Sequence, residues 1–430
     1  MHNCDNEGCT EYNELSRRQF VTWSAGAALL ATVVPPWLPK VVLAESFASD
    51  RDVIISIFMR GGADGLSIVA PFADPEYYLG RPTIAIPRPD SSLATKGIAL
   101  DDRFAFPQAM SSLLEAYTAK ELLLIHGTGS VDTTRSHFDA QRFMEVGKPR
   151  DQNLVTGWLG RHLASSTPVR TNAPLRALGI ANGLAQTLVG APQTLPIPNP
   201  ANFALGGAAG TRQARQDWLK ADYQNTPDPV KSAAIDTVAI VDLLKLINFT
   251  SYAPANGAVY PNTSFGTSLR SAAALIKSDI GVEAIQVDVG GWDTHASQDP
   301  LAGSMATTMT QFSSALGALY RDLIAGAQAQ SVTVVIVSEF GRNVRENGSR
   351  GTDHGRGNVM FVMGKSVAGG RVMTQNWQSL ARENLESQQD LKVTIDHRDI
   401  LAEIVKNRLA NPALSFVFPD FVPTTRGATK

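Results

Sequence analysis

Four short polar strings hold the most unusual groupings of polar side chains in this sequence, and each adjoins a run of apolar residues. Arg60-Gly61-Gly62-Ala63-Asp64-Gly65 places glycines where backbone can approach a ligand and adds the Asp64 carboxylate. Thr133-Thr134-Arg135-Ser136-His137-Phe138-Asp139 opens a helix that continues through Phe143 and Met144, with Ser136 and Asp139 at capping spacing. A serine there also faces backbone N–H groups that stabilise an anion, so one residue can serve as cap and as nucleophile. Gln286 to His295 puts Asp288, Asp293 and His295 near a strand end, where Asp293 and His295 can bind one hard or borderline cation. In the fourth string, Ser338-Glu339-Phe340-Gly341-Arg342 and Gly351-Thr352-Asp353-His354-Gly355 flank a loop that can fold back between Glu339 and His354.

Each string also has a plainer reading. Asp64 fits a Gly-Asp turn, Ser136 a simple helix cap, and Asp293 with His295 a satisfied polar loop. His126, His162 and His397 have no partner cluster in the sequence and read as core or surface residues, although His126 ends a strand.

Composition narrows the chemistry further. With 38 basic and 40 acidic residues the chain has no general counterion-releasing surface, which argues against a nucleic-acid binder. Its two cysteines, Cys4 and Cys9, lie at the extreme N-terminus, so a metal in the body must be held by His, Asp or Glu.

The elements that must position these strings are legible as well. Short β-branched or apolar runs at 53–59, 122–125, 175–180, 284–289, 332–337 and 359–363 read as buried strands. Met305, Met309, Phe312, Leu316, Leu319 and Leu323 recur at helical spacing, as do Ile400, Leu401, Ile404 and Val405. Strands alternating with helices predict an α/β fold: a largely parallel central sheet with helices on both faces and ligands at the carboxyl ends of strands. Residues 45–430 then form one domain, with a Pro-rich insertion at about 182–265 marked by Pro192, Pro196, Pro198 and Pro200.

Residues 1–44 read as a twin-arginine export signal: Arg17-Arg18, an apolar run from Val21 to Val34, and Val42-Leu43-Ala44 before the cleavage point. A run of about 14 residues spans only about 21 Å, short of a roughly 30 Å hydrocarbon core. The expected product is a periplasmic or secreted protein whose mature form does not span a membrane, with the twin-arginine translocase as a partner during export.

In order along the chain, the four strings resemble the alkaline phosphatase and sulfatase superfamily of metal-dependent hydrolases. The resemblance implies an alkaline-phosphatase-like fold and a zinc held by Asp293, His295 and His354, with Asp353 beside them. It also implies a second metal, Mg, Mn or Ca, at Asp64, Asp288 and Glu339. Ser136 takes the place of the nucleophile, His137 that of a replacement nitrogen donor, and Arg60 or Arg342 balances charge on the transferred group. Phe340 stands where the superfamily has an imidazole. A closer similarity is to the bacterial family called domain of unknown function 1501 (DUF1501), carried by the strings 60–66, 136–138, 290–295, 338–342 and 352–355. The implied activity is hydrolysis of a phosphate or sulfate ester, on a small molecule or a glycan. The alternative is a binding or accessory protein on the same fold that has lost turnover.

Overall fold

Strand Val53–Met59 (β1) is apolar on both faces because both are covered, as the interior of a parallel sheet requires. The computed structural model describes residues 51–430, except 229 and 328; the expected export signal at 1–44 lies outside the described residues. Eight further strands complete the sheet: Leu122–Gly129 (β2), Ala177–Gly179 (β3), Thr194–Pro196 (β4), Ala284–Val289 (β5), Val332–Ser338 (β6), Asn358–Met363 (β7), Arg371–Met373 (β8) and Ile395–Asp396 (β9). Their order is β8-β2-β7-β6-β1-β5-β3-β4, with β9 paired to the end of β2. The expected runs are all present. β2 continues past its predicted end, through an irregularity at Gly127, where φ is +72°.

All pairings are parallel except those of β7, which runs antiparallel to both β2 and β6. The reversal decides where chemistry can gather. β1 ends at Met59 and β6 at Ser338 on the edge where β7 begins at Asn358. Residues that precede β7 therefore meet residues that follow the other strands.

Alternation along the strands divides the core. Ile55, Ile57 and Met59 of β1, with Val334 and Ile336 of β6, face one apolar cluster, whereas Ile54 and Val335 face another. Helices Ser264–Lys277 and Ser304–Leu319 supply Leu269, Met305, Met309, Phe312 and Leu316 to the first cluster. Trp158–Ser165 and His397–Asn407 supply Trp158, Leu163, Ile400 and Ile404 to the second. Each such buried side chain contributes on the order of 1.5–3 kcal/mol by leaving water. The Pro-rich stretch is less separate than its composition suggests, since β4 lies within it and extends the sheet beside β3. Among the described residues no helix is long and apolar enough to cross a membrane, and residues from 51 onward belong to one compact unit.

Two histidines sit in this framework as neutral core residues. His126 is packed between Phe104 and Trp377, with Nε2 bonded to the Val69 carbonyl and Nδ1 accepting from the Gly127 N–H. Burial pushes its pKa down to about 4. Burial, with the charges of Arg51 and Arg176, pushes that of His162 down to about 3. The unfolded chain binds these protons near pH 6.5 and the native protein does not, so unfolding takes up protons in that window and stability falls as pH drops. Each histidine should cost about 2 kcal/mol between about pH 7 and pH 5. Urea midpoints that are equal at the two pH values would contradict this.

Candidate metal centre

The four polar strings meet at one edge of the sheet, and the local reasons are steric. The turn after β1 passes so close beneath Trp292-Asp293 and the Phe340 ring that a Cβ at Gly61 or Gly62 would collide with them, and both glycines have positive φ. Trp292 is buried against Phe312, which anchors the loop after β5 and leaves Asp293 at the surface of the edge. The 342–354 loop folds back as predicted: Arg342 bridges His354, the Asn343 N–H bonds the Asp353 carbonyl, and the Gly355 N–H bonds Gly341. Helix His137–Val146 (α1) starts opposite this ladder, with Ser136 as its N-cap.

His137, Asp293 and His354 each offer one ligand atom, and these atoms lie within 4.8 Å of one another. His295 closes the group, its Nε2 3.1 Å from Asp293 Oδ1 and 2.9 Å from His354 Nε2. His137 Nε2 and His354 Nε2 are each 3.6 Å from the same carboxylate oxygen.

The other ring nitrogens fix what these atoms are. Nδ1 of His137 lies 2.8 Å from Glu339 Oε1, Nδ1 of His295 2.9 Å from Asp353 Oδ1, and Nδ1 of His354 2.9 Å from the Arg135 carbonyl. All three partners accept hydrogen bonds, so each Nδ1 carries a proton and each Nε2 is the ring atom turned toward Asp293. Nε2 of His137 is buried with no hydrogen-bond partner, its carboxylate neighbour Asp293 lying 3.6 Å away.

The carboxylates are tuned to stay ionised. Burial works to raise the pKa of Asp293, but the guanidinium of Arg342 and the nearby His295 and His137 outweigh it and hold the carboxyl below its usual range. Glu339 is likewise held low against its burial, by hydrogen bonds that include Gln141, His137 and the Gly61 N–H. For Asp353 the hydrogen bond to His295 is the leading cause of a lowered pKa.

A family model described as Protein of unknown function (DUF1501) matches residues 51–406. The chain belongs to this family. No curated protein matches it.

In this DUF1501 protein the remaining residues picked from the sequence take other places. Asp64 is buried and accepts from Arg81, Ser67 and Gln298, so both of its oxygens are occupied. Asp288 pairs with Arg60, which also grips Glu145. Glu339 orients His137, and Asp353 orients His295. Asp64, Asp288 and Glu339 are thus each committed to a different partner. Ser136 is exposed, and its Oγ accepts a long 3.4 Å bond from the Asp139 N–H. Phe340 packs its ring 4.9 Å from His137 and 4.8 Å from His354, giving the imidazoles an apolar backing. Gln141 and Glu145 escaped the sequence reading. A polar stripe at 137, 141 and 145, one helical face, is the signal that could have found them.

Arg342 is the buried centre of the edge. It donates to the carbonyls of Gly61 at 2.7 Å and Gly62 at 2.6 Å, to the Thr352 carbonyl and to Asp293. Arg342→Met leaves three buried carbonyls without a donor and should lower stability by at least about 3 kcal/mol in urea unfolding. A loss below about 1 kcal/mol would show that water replaces the guanidinium freely.

Proposed function

We propose that this protein is an exported, metal-dependent hydrolase of phosphate or sulfate esters built on an alkaline-phosphatase-like fold. The observation that carries this reading is the convergence of three Nε2 atoms on one oxygen of Asp293. With both rings neutral, the Nε2 lone pairs of His295 and His354 face each other at 2.9 Å and repel, and a cation between them turns the repulsion into binding. The buried, unpartnered Nε2 of His137 points the same way. A set of three imidazoles and one carboxylate suits zinc, and the Nδ1 bonds to Glu339, Asp353 and a backbone carbonyl supply the outer support such sites use. His137 thereby joins Asp293, His295 and His354 as a ligand. The reading takes one cation, because Asp64, Asp288 and Glu339 are bound elsewhere.

When bound, such a cation supplies Lewis acidity toward an ester oxygen. Ser136, adjoining His137 at the N-terminus of α1, is the nucleophile in this reading, with the N–H groups of the first helical turn favouring negative charge at its oxygen. Arg342 and Arg60 act by holding Asp293 and the turn after β1 in place, since their donors are already engaged. Half-exposed Asp293 and His295 leave the centre open to an ester carried by a small molecule or a glycan. Export rests on Arg17-Arg18 and the apolar run after them; replacing both arginines by lysine should leave the protein in the cytoplasmic fraction, and unchanged periplasmic recovery would sink that part.

A second reading, a binding or accessory protein without turnover, is favoured by the Asp64–Arg81 pair, which removes a carboxylate from the edge. One experiment separates the two. Metal analysis of the folded protein as isolated should find about one zinc per chain, and a panel of phosphate and sulfate esters should reveal turnover. His295→Ala with His354→Ala should weaken zinc binding by at least about 100-fold and abolish activity. Full activity in that double variant would refute the metal-dependent assignment; zinc without turnover on any ester would favour the accessory protein.

A further inference from the structure

We propose that Gln298 is the positioning residue of the metal centre, its side-chain amide clamping the His295 and His354 loops to a buried ion pair. The inference rests on the metal reading above and deepens it.

Gln298 is fully buried. Its Nε2 donates to Asp64 Oδ2 at 2.6 Å and to Ser67 Oγ at 3.1 Å. Its Oε1 accepts from Thr294 Oγ1 at 3.0 Å and from Thr352 Oγ1 at 2.7 Å. The amide can sit in one orientation only, because its reversal would set Oε1 against the Asp64 carboxylate. Thr294 precedes His295 and Thr352 lies two residues before His354, so one amide oxygen gathers both ligand-bearing loops.

The far side of the clamp is rigid. Asp64 forms a two-pronged pair with Arg81, and Arg81 also donates to the carbonyls of Asn343 at 3.0 Å and Val344 at 2.7 Å. Those carbonyls belong to the loop that folds back to His354. Backbone bonds continue the seam, from the Thr352 N–H to the Thr294 carbonyl at 3.1 Å and from the Gln298 N–H to the Arg350 carbonyl at 2.9 Å. Gly351 packs so tightly against the His295 carbonyl that no side chain fits between the loops. The spacing between His295 Nε2 and His354 Nε2 is thus set from below, by residues that touch neither ring. Asp64 acts through Gln298 in this arrangement.

The test uses the full chain. Zinc affinity is measured by competition with a chromophoric chelator for the unaltered protein, Gln298→Met, Thr294→Val and Thr352→Val, and amide hydrogen exchange is followed in the metal-free proteins. Gln298→Met should weaken zinc binding by about 10–100-fold, as loss of outer support does. Each threonine variant should produce part of that loss. Exchange should quicken at the Thr352 and Gln298 amides in Gln298→Met, while the amides of β1 keep their protection. If Gln298→Met does not fold, the threonine variants carry the test alone. Affinity and exchange matching the unaltered protein would overturn the clamp. Absence of zinc binding in the unaltered protein would instead sink the metal reading, whatever the exchange shows.

Discussion

The edge where the polar strings meet depends on one buried guanidinium. Arg342 has no exposed surface and no carboxylate of its own in the core; it is satisfied by three backbone carbonyls and by Asp293. A buried charge in that position tolerates no drift, because every donor left unpaired costs its full desolvation. The turn after β1, the loop after β5 and the strand-like ladder at 341–355 are therefore tied to one another by this side chain, with Gln298 joining the same three segments from below.

The imidazoles that project from this edge are fixed in a second way. Each has its Nδ1 committed to an oxygen, so neither tautomer nor ring orientation is free to change. Phe340 packs an apolar ring against both His137 and His354. The same ring occupies the place where the resemblance to phosphatases calls for an imidazole. That substitution is in keeping with the one-cation centre proposed above, and so is the Asp64–Arg81 pair, since a carboxylate paired with a buried arginine has little charge to offer a second cation.

Strand direction supplies the remaining condition. With β7 parallel to its neighbours, His354 would lie at the opposite edge of the sheet, far from Asp293 and His295. The reversal explains why a residue just before one strand cooperates with residues just after others, and it comes with the short ladder that folds the 342–354 loop onto itself.

Much of this was readable from residue types and spacing. Apolar runs located the strands because buried strands need both faces covered, and helical periodicity located Ser304–Leu319 and His397–Asn407. The polar strings themselves were readable because Asp, His and Gly cluster where the apolar runs end. The resemblance had grouped Asp293, His295 and His354, which do meet, but residue types and spacing alone did not say which groups converge, since convergence depends on contacts between residues far apart in the chain. The resemblance to phosphatases implied Asp64 and Glu339 as ligands, yet packing gave Asp64 to Arg81 and Gln298 and gave Glu339 to His137. It equally drew His137 inward from a string whose serine had seemed the more chemical residue. Local sequence states which groups are present and which way the chain tends to run; burial and long-range pairing settle which partner each charged group meets, because only there is the cost of leaving one unpaired felt.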